Sequence, residues 1–79
     1  MDAGLHQLIA GALRIPATSV NAETYMEGTP AWDSLAHMDL VVSIEEHYRL
    51  QLEPDDMVAM RSVGAITRLL QSKGVLAAH

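Results

Sequence analysis

The residues best suited to chemistry lie between Trp32 and Asp39, where a serine, a histidine and two aspartates fall close together. A serine near a histidine and a carboxylate suggests a nucleophilic triad. On a regular helix, however, Asp39 points more than about 120° away from His37, so it cannot orient the imidazole. The chain also lacks the Gly-x-Ser-x-Gly elbow that exposes such a serine. This run therefore does not predict a hydrolase.

Metal binding has still less support in the sequence. The four histidines, at positions 6, 37, 47 and 79, are scattered, and no two are spaced four apart to share a helix face. The acidic pair Asp55 and Asp56 lacks the surrounding pattern of a calcium loop. We expect no metal site.

Ser34 is better explained as a point of covalent attachment. A serine at the start of a helix usually acts only as its cap. Here Asp33 precedes it, and a carboxylate at that position accepts amide hydrogen bonds and complements the positive end of the helix dipole. Asp33 can therefore cap the helix and leave the Ser34 hydroxyl free for a modifying enzyme.

The helix that positions Ser34 is predicted from Ser34 or Leu35 to Tyr48, and it has two apolar faces. One face holds His37, Leu40, Val41, Ile44 and Tyr48; the other holds Leu35, Met38 and Val42, with Asp39, Glu45 and Glu46 around them. A surface helix needs only one apolar stripe, so the first face is expected to be core. Because buried carboxylates are rare unless paired, the second face is expected to receive a partner.

The rest of the chain also reads as helices, which predicts an all-α four-helix bundle with a short third helix and a long loop between helices 1 and 2. The first helix covers about residues 3–14, with Arg14 in its last turn, and Pro16 stops it. Residues 16–33 form the loop, with one helical turn near Ala22–Met26. Four apolar loop residues are expected on the core: Val20, Tyr25, Met26 and Trp32.

The third and fourth helices follow a short extended link through Leu50 and Leu52. Pro54 opens the third helix, which runs to about Met60, and Ser62 caps the fourth, which runs from Val63 to about Ser72. The apolar contacts of the third helix are predicted to come from Met57, Val58 and Met60, and the inward residues of the fourth are predicted to be Val63, Ile66, Leu69 and Leu70. Gly74 stops the last helix, and residues 74–79 are expected to fray.

Size and composition limit what the chain can do. Its 79 residues predict one domain, 1–79, without room for a cleft between two lobes, which favours a carrier or binding role over an enzyme. No cysteine is present, which fits a reducing, cytoplasmic setting. No apolar run approaches the ~20 residues of a membrane span, and no signal peptide is evident.

The charge is concentrated in the middle of the chain and indicates the kind of partner. Of the net charge of −5, residues 15–60 carry −8 and the remainder +3. An acidic surface repels phosphate backbones, so nucleic acid is not expected and basic protein surfaces are. The plainer alternative is that the acids only keep a small domain in solution.

Four segments resemble the acyl carrier protein family, and the resemblance covers nearly the whole chain. They are Asp33-Ser34-Leu35, the acidic helix end Ile44-Glu45-Glu46-His47-Tyr48, Leu52-Glu53-Pro54-Asp55-Asp56, and Ser62-Val63-Gly64-Ala65-Ile66. The resemblance implies that a phosphopantetheinyl transferase attaches 4′-phosphopantetheine from coenzyme A to Ser34. The thiol of that arm would hold an acyl, aminoacyl or polyketide group as a thioester, and would supply the thiol that the chain lacks.

The resemblance also implies a docking surface. Asp33 matches the acid that helps to engage the transferase, and Asp56 and Met57 match secondary contacts on the third helix. The residues that match the recognition helix are Leu35, Met38, Asp39, Val42, Glu45 and Glu46. Its partners would be acyltransferases, ketosynthases or adenylating enzymes with basic docking surfaces, and the carrier would act as a monomer.

Trp32 indicates which carriers within the family the chain resembles most. Carriers of fatty-acid synthesis usually have a small residue before Asp-Ser-Leu, and Trp-Asp-Ser-Leu looks more like stand-alone carriers of specialised metabolism, such as polyketide or antibiotic biosynthesis, or of aminoacyl transfer. Two alternatives remain at this point. One is an aminoacyl or peptidyl carrier loaded by an adenylating enzyme, and the other is a helical interaction domain that carries nothing.

Overall fold

A computed structural model of the protein describes residues 3–76 and confirms the predicted all-α bundle. The helices are α1 (Ala3–Leu13), α2 (Ser34–Tyr48), α3 (Pro54–Ala59) and α4 (Val63–Ser72). Two single 3₁₀ turns, Ala17–Ser19 and Met26–Gly28, lie in the connection between α1 and α2. Over residues 3–76 the only β-type pairing is an isolated bridge between Tyr25 and Ser62. No helix in this range is long and apolar enough to cross a membrane.

The core is formed by one face each of α1, α2 and α4, with apolar residues from the connections between them. The face of α2 that packs in the core is the predicted one, and its residues Leu40, Val41 and Ile44 are fully buried. The other buried residues are Leu5, Ile9, Ala10, Leu13, Val20, Trp32, Leu52, Met60, Val63, Ile66 and Leu70. The inner face of α2 is therefore fixed by packing, and its opposite face is left outward.

Three of the helices end in the same way, with a residue in the left-handed conformation and a hydrogen bond that spans the last turn. The left-handed residues are Arg14 (φ 59°), Arg49 (φ 54°) and Gly74 (φ 78°). In each case the next amide donates to a carbonyl five residues back, as from Leu50 to Glu45 (3.1 Å). Arg14 thus lies just beyond α1 and not in its last turn as predicted.

The long connection after α1 contains a correction to the sequence prediction. The prediction of a helical turn at Ala22–Met26 was wrong. The Asn21 side chain instead accepts from the Glu23 amide (2.8 Å) and forms a tight turn. The chain then runs extended beside the start of α4, where the Met26 amide donates to the Arg61 carbonyl (2.8 Å). As predicted, Val20 and Trp32 are buried, whereas Tyr25 is 53% exposed.

The last part of the described chain also differs from expectation. Val58 was predicted to supply an apolar contact of the third helix, but it is 70% exposed. Residues 74–76 depart from the predicted frayed tail, because Val75 donates its amide to the Leu70 carbonyl (3.2 Å) and both Val75 and Leu76 pack against the core. The remainder of that predicted tail, residues 77–79, lies outside the described residues.

Candidate functional site

Ser34 is the first residue of α2 and its side chain is exposed. The capping role belongs to Asp33, whose extended backbone turns into the helix and whose Oδ1 accepts from the Ala36 amide (2.9 Å). The Ser34 hydroxyl has no hydrogen-bond partner among residues 3–76. The cap and the nucleophile are therefore separate residues, and the hydroxyl stands free at the mouth of a 15-residue helix.

The outward face of α2 begins next to this hydroxyl. Leu35 is 75% exposed, Met38 51% and Val42 48%. Asp39 and Glu46, which border this face, are also exposed. The chain's own side chains do not cover this apolar surface and its acidic border, so both are accessible to another molecule.

Two of the predicted recognition acids are instead engaged within the chain. Glu45 is half-buried, and its Oε2 accepts from the Leu52 amide (2.9 Å), which holds the link that leads to α3. Asp56 Oδ2 accepts from the Glu53 amide (3.0 Å) and pairs with Lys73 Nζ (3.0 Å), which joins α3 to the end of α4. The Glu53 amide, together with Lys73, lowers the pKa of the Asp56 carboxyl below its usual value.

On α3 the structure separates two neighbouring apolar residues. Met57, the predicted contact, is half-buried and packs against the core. Val58 projects outward and lines a surface pocket with a volume of ≈ 210 Å³, together with Met26, His37, Met57 and Arg61. Sequence reasoning missed Val58 as an exposed contact, because six helical residues are too few to define an apolar face.

A second surface pocket lies beside the start of α2. It has a volume of ≈ 190 Å³ and is lined by the end of α1, the residue Ala31 and the first turns of α2, including Asp33, Leu35 and Asp39. Arg14 contributes the only basic side chain to this lining. The two residues next to Ser34 in sequence, Asp33 and Leu35, thus line this pocket.

Behind the hydroxyl, one imidazole links three segments of the chain. Trp32 Nε1–H donates to His37 Nδ1 (3.0 Å), and His37 Nε2 lies 2.9 Å from the Met57 carbonyl oxygen. Trp32 is 2% exposed, and its ring lies nearly parallel to the imidazole, at 26°. We call this set of contacts the Trp32–His37–Met57 bridge. Nothing in the sequence pattern pointed to it, since His37 was assigned to the core only by its place on the helix.

The residues present fit a phosphopantetheinyl group. A free, exposed hydroxyl is the attachment point that such a group needs, and the first amides of α2 together with the helix dipole favour a phosphate there. Ser34 would hold the group, which would supply the thiol that the chain lacks. No group of three or more potential metal ligands occurs within the described range of 3–76.

Comparison with known proteins agrees with this geometry. No curated protein matches the chain. Among solved structures, the solution NMR structure of a holo acyl carrier protein from Nitrosomonas europaea superposes with a TM-score of 0.74, at 16% identity, over 90% of this chain and 92% of that one. At this identity the likeness establishes the fold.

The family itself is established by sequence. The family described as "Phosphopantetheine attachment site" matches residues 3–70, which is most of the chain and includes all four helices apart from the last two residues of α4. Proteins of this family are carriers that bear a phosphopantetheine group and do not catalyse reactions themselves. The chain therefore belongs to the phosphopantetheine attachment family and is a non-catalytic carrier protein.

Proposed function

We propose that Ser34 is the residue to which 4′-phosphopantetheine is attached. The observation that carries this proposal is the free hydroxyl at the first position of α2, next to a separate capping residue, Asp33. Two hydroxyl side chains of α4 and its cap are engaged within the fold: Ser62 Oγ accepts from the Ala65 amide (3.0 Å) and Thr67 Oγ1 donates to the Val63 carbonyl (2.9 Å).

The attachment step follows from this placement. The Ser34 oxygen forms a bond to the phosphorus that bears the pantetheine, and the pyrophosphate bond of coenzyme A breaks. Adenosine 3′,5′-bisphosphate leaves, and the hydroxyl proton passes to a base of the transferase. Ser34 thereby becomes a phosphodiester at the positive end of α2, where a negative charge is favoured.

The outward face of α2 is the proposed docking surface for the transferase and for the enzymes that use the carried group. Its apolar residues are Leu35, Met38 and Val42, and its exposed acids are Asp33, Asp39 and Glu46. Such acids act mainly on the rate and register of encounter with a basic surface, and three apolar side chains bury only a small area. Weak docking suits a carrier that must leave each enzyme after one transfer.

The contributions of the other predicted recognition residues are proposed to be indirect. Glu45 holds the link to α3 through the Leu52 amide, and Asp56 joins α3 to α4. Met57 lines the pocket beside His37, where its exposed neighbour Val58 is the better placed to contact a partner. These residues hold the docking surface in position, and the exposed residues of α2 make the contact with the partner.

The cargo proposed is an acyl group held as a thioester in polyketide or other specialised metabolism. Trp32 before Asp-Ser-Leu supports this assignment over fatty-acid synthesis, because the carriers of fatty-acid synthesis usually have a small residue at that position. The alternative is an aminoacyl or peptidyl carrier. Incubation of the phosphopantetheinylated protein with acyl-coenzyme A donors and acyltransferases, or with amino acids, ATP and adenylating enzymes, distinguishes the two by the thioester that forms.

Intact-mass measurement tests the attachment site. After incubation with coenzyme A and a broad-specificity transferase, the protein should gain the mass of one phosphopantetheinyl group, and Ser34→Ala should gain none. The matched control is Ser43→Ala, which removes a half-buried serine from the same helix and should still be modified. A mass gain that persists in Ser34→Ala would place the arm on another residue.

A further inference from the structure

We propose that His37 is a positioning residue for arm attachment, because it fixes the segment that carries Ser34 against α3. The inference rests on the proposed role of Ser34 and adds a residue that does not itself touch the arm. It comes from the Trp32–His37–Met57 bridge, whose two hydrogen bonds measure 3.0 Å and 2.9 Å.

The bonding pattern determines which imidazole nitrogen carries the proton. The indole N–H can only donate, so Nδ1 of His37 must be the acceptor. The Met57 carbonyl can only accept, so Nε2 must carry the proton and donate to it. The bridge therefore requires the neutral Nε2–H tautomer, and both ring nitrogens are used within the fold.

The position of the bridge in the chain relates it to Ser34. Trp32 lies two residues before the serine and His37 three residues after it, so the contact closes a short loop with Ser34 on its outer side. The Asp33 carbonyl also accepts from the His37 amide (2.9 Å), which closes the same loop through the backbone. The direction in which the Ser34 hydroxyl projects is thereby set from both sides.

The hydrogen bond from His37 to the Met57 carbonyl fixes the position of this loop relative to α3. Met57 belongs to α3, twenty residues away in sequence, and its carbonyl is the point to which His37 is tied. His37, Met57 and Val58 line one surface pocket together with Met26 and Arg61, so the bond from His37 lies beside a gap between α2 and α3. The bridge thus fixes the spacing between the serine and the exposed residues of α3.

A transferase must place the serine oxygen in line with the phosphorus it attacks, and small misplacements of a reacting atom can lower rates on the order of a hundredfold. Loss of the bridge should therefore impair loading even where the bundle remains folded. Replacing the imidazole by a side chain that donates and accepts in the same directions should restore loading. A purely space-filling role would predict no such rescue.

The test compares three variants by the transferase kcat/KM, measured well below each melting temperature. His37→Leu, which fills space but makes neither bond, should lower kcat/KM by roughly tenfold or more. His37→Gln, whose amide can accept from the indole and donate to Met57, should remain within about threefold of the unaltered protein. His47→Leu is the matched control, since His47 is an exposed histidine near the far end of α2.

The outcomes separate this proposal from the proposed function. If the unaltered protein is not loaded at Ser34, the proposed function fails. If it is loaded and His37→Leu is loaded equally well, the positioning role fails. It also fails if His37→Gln is as impaired as His37→Leu at equal stability, because hydrogen bonding would then not be the cause.

A measurement on the unaltered protein keeps the proposal testable if His37→Leu does not fold. Long-range ¹H–¹⁵N NMR correlations report the tautomer of each histidine, and the Trp32 indole N–H reports its hydrogen bond through slowed exchange with solvent. We expect His37 as the Nε2–H tautomer near neutral pH and a protected indole N–H. An Nδ1–H tautomer, or a freely exchanging indole, would overturn the proposal.

Discussion

The two halves of α2 use similar residues in different ways. In the half that begins at Ser34, the apolar side chains of Leu35 and Met38 point outward and Asp39 is exposed. In the half that ends at Tyr48, Glu45 is half-buried and bound to the Leu52 amide. An acidic residue on this helix is thus not a docking residue by its charge alone. What decides its role is whether the chain itself already uses the carboxylate.

The largest contrast is between the inner and outer faces of α2. Ile44→Ala should lower the free energy of unfolding by about 2–5 kcal/mol, because it opens a cavity in a fully buried site. Met38→Ala removes a half-exposed side chain and should change stability by no more than about 0.5 kcal/mol. Urea unfolding measures both, and a Met38→Ala cost close to that of Ile44→Ala would mean that the outer face is structural.

The next contrast concerns the adjacent acids Glu45 and Glu46. Glu45→Lys should destabilise the protein by about 1–3 kcal/mol, because the half-buried Leu52 amide loses its acceptor. Glu46→Lys, at an exposed position, should leave stability within about 0.5 kcal/mol and slow the reaction with partner enzymes at low salt. Thermal unfolding and transferase kinetics at two ionic strengths separate the two effects.

The opposite result for this pair would reverse the assignment. If Glu45→Lys melted like the unaltered protein and Glu46→Lys unfolded more readily, the acid used by the fold would be Glu46. Glu45→Gln provides a control, since its amide oxygen can still accept from the Leu52 amide and should retain most of the stability.

The smallest effect is expected at Asp56 on α3. Its pKa is lowered in the folded protein by the Glu53 amide and Lys73, so its ionised form stabilises the fold at neutral pH. That contribution is present above the unfolded value of 3.8 and is lost as the pH falls through the lower folded value. Asp56→Asn should therefore melt no more than a few degrees lower at pH 7 and like the unaltered protein in strong acid.

Asp55→Asn is the control for this pH dependence, because Asp55 is the exposed neighbour in the same first turn of α3. The melting temperature of Asp55→Asn should differ less from that of the unaltered protein across the same pH range. A gap between Asp56→Asn and the unaltered protein that persists unchanged into strong acid would show that the loss does not come from the carboxylate's charge.

The features that sequence could predict were those that depend on near neighbours along the chain. The bounds of α2, its cap at Asp33 and its two apolar faces all follow from helical periodicity and one capping residue. The same holds for Ser62 at the start of α4. These are local properties, so they survive folding largely unchanged.

What sequence could not predict depends on contacts between distant residues or on too few residues for a pattern. The Glu45–Leu52 and Asp56–Lys73 interactions join residues seven and seventeen positions apart, and no spacing rule marks them in advance. The six residues of α3 were too few to predict that Met57 is half-buried and Val58 exposed. A tight turn forms at Asn21 where a helical turn was predicted, because the Asn21 side chain accepts a hydrogen bond from the Glu23 amide.

The arginine that closes α2 has a practical consequence. Arg49 holds a left-handed turn that glycine adopts without steric strain, and it lies at the opposite end of the helix from Ser34. By helical rise the two ends are roughly 22 Å apart. The stability of this carrier can therefore be engineered at a site remote from the hydroxyl, and the proposed docking surface can be redesigned separately.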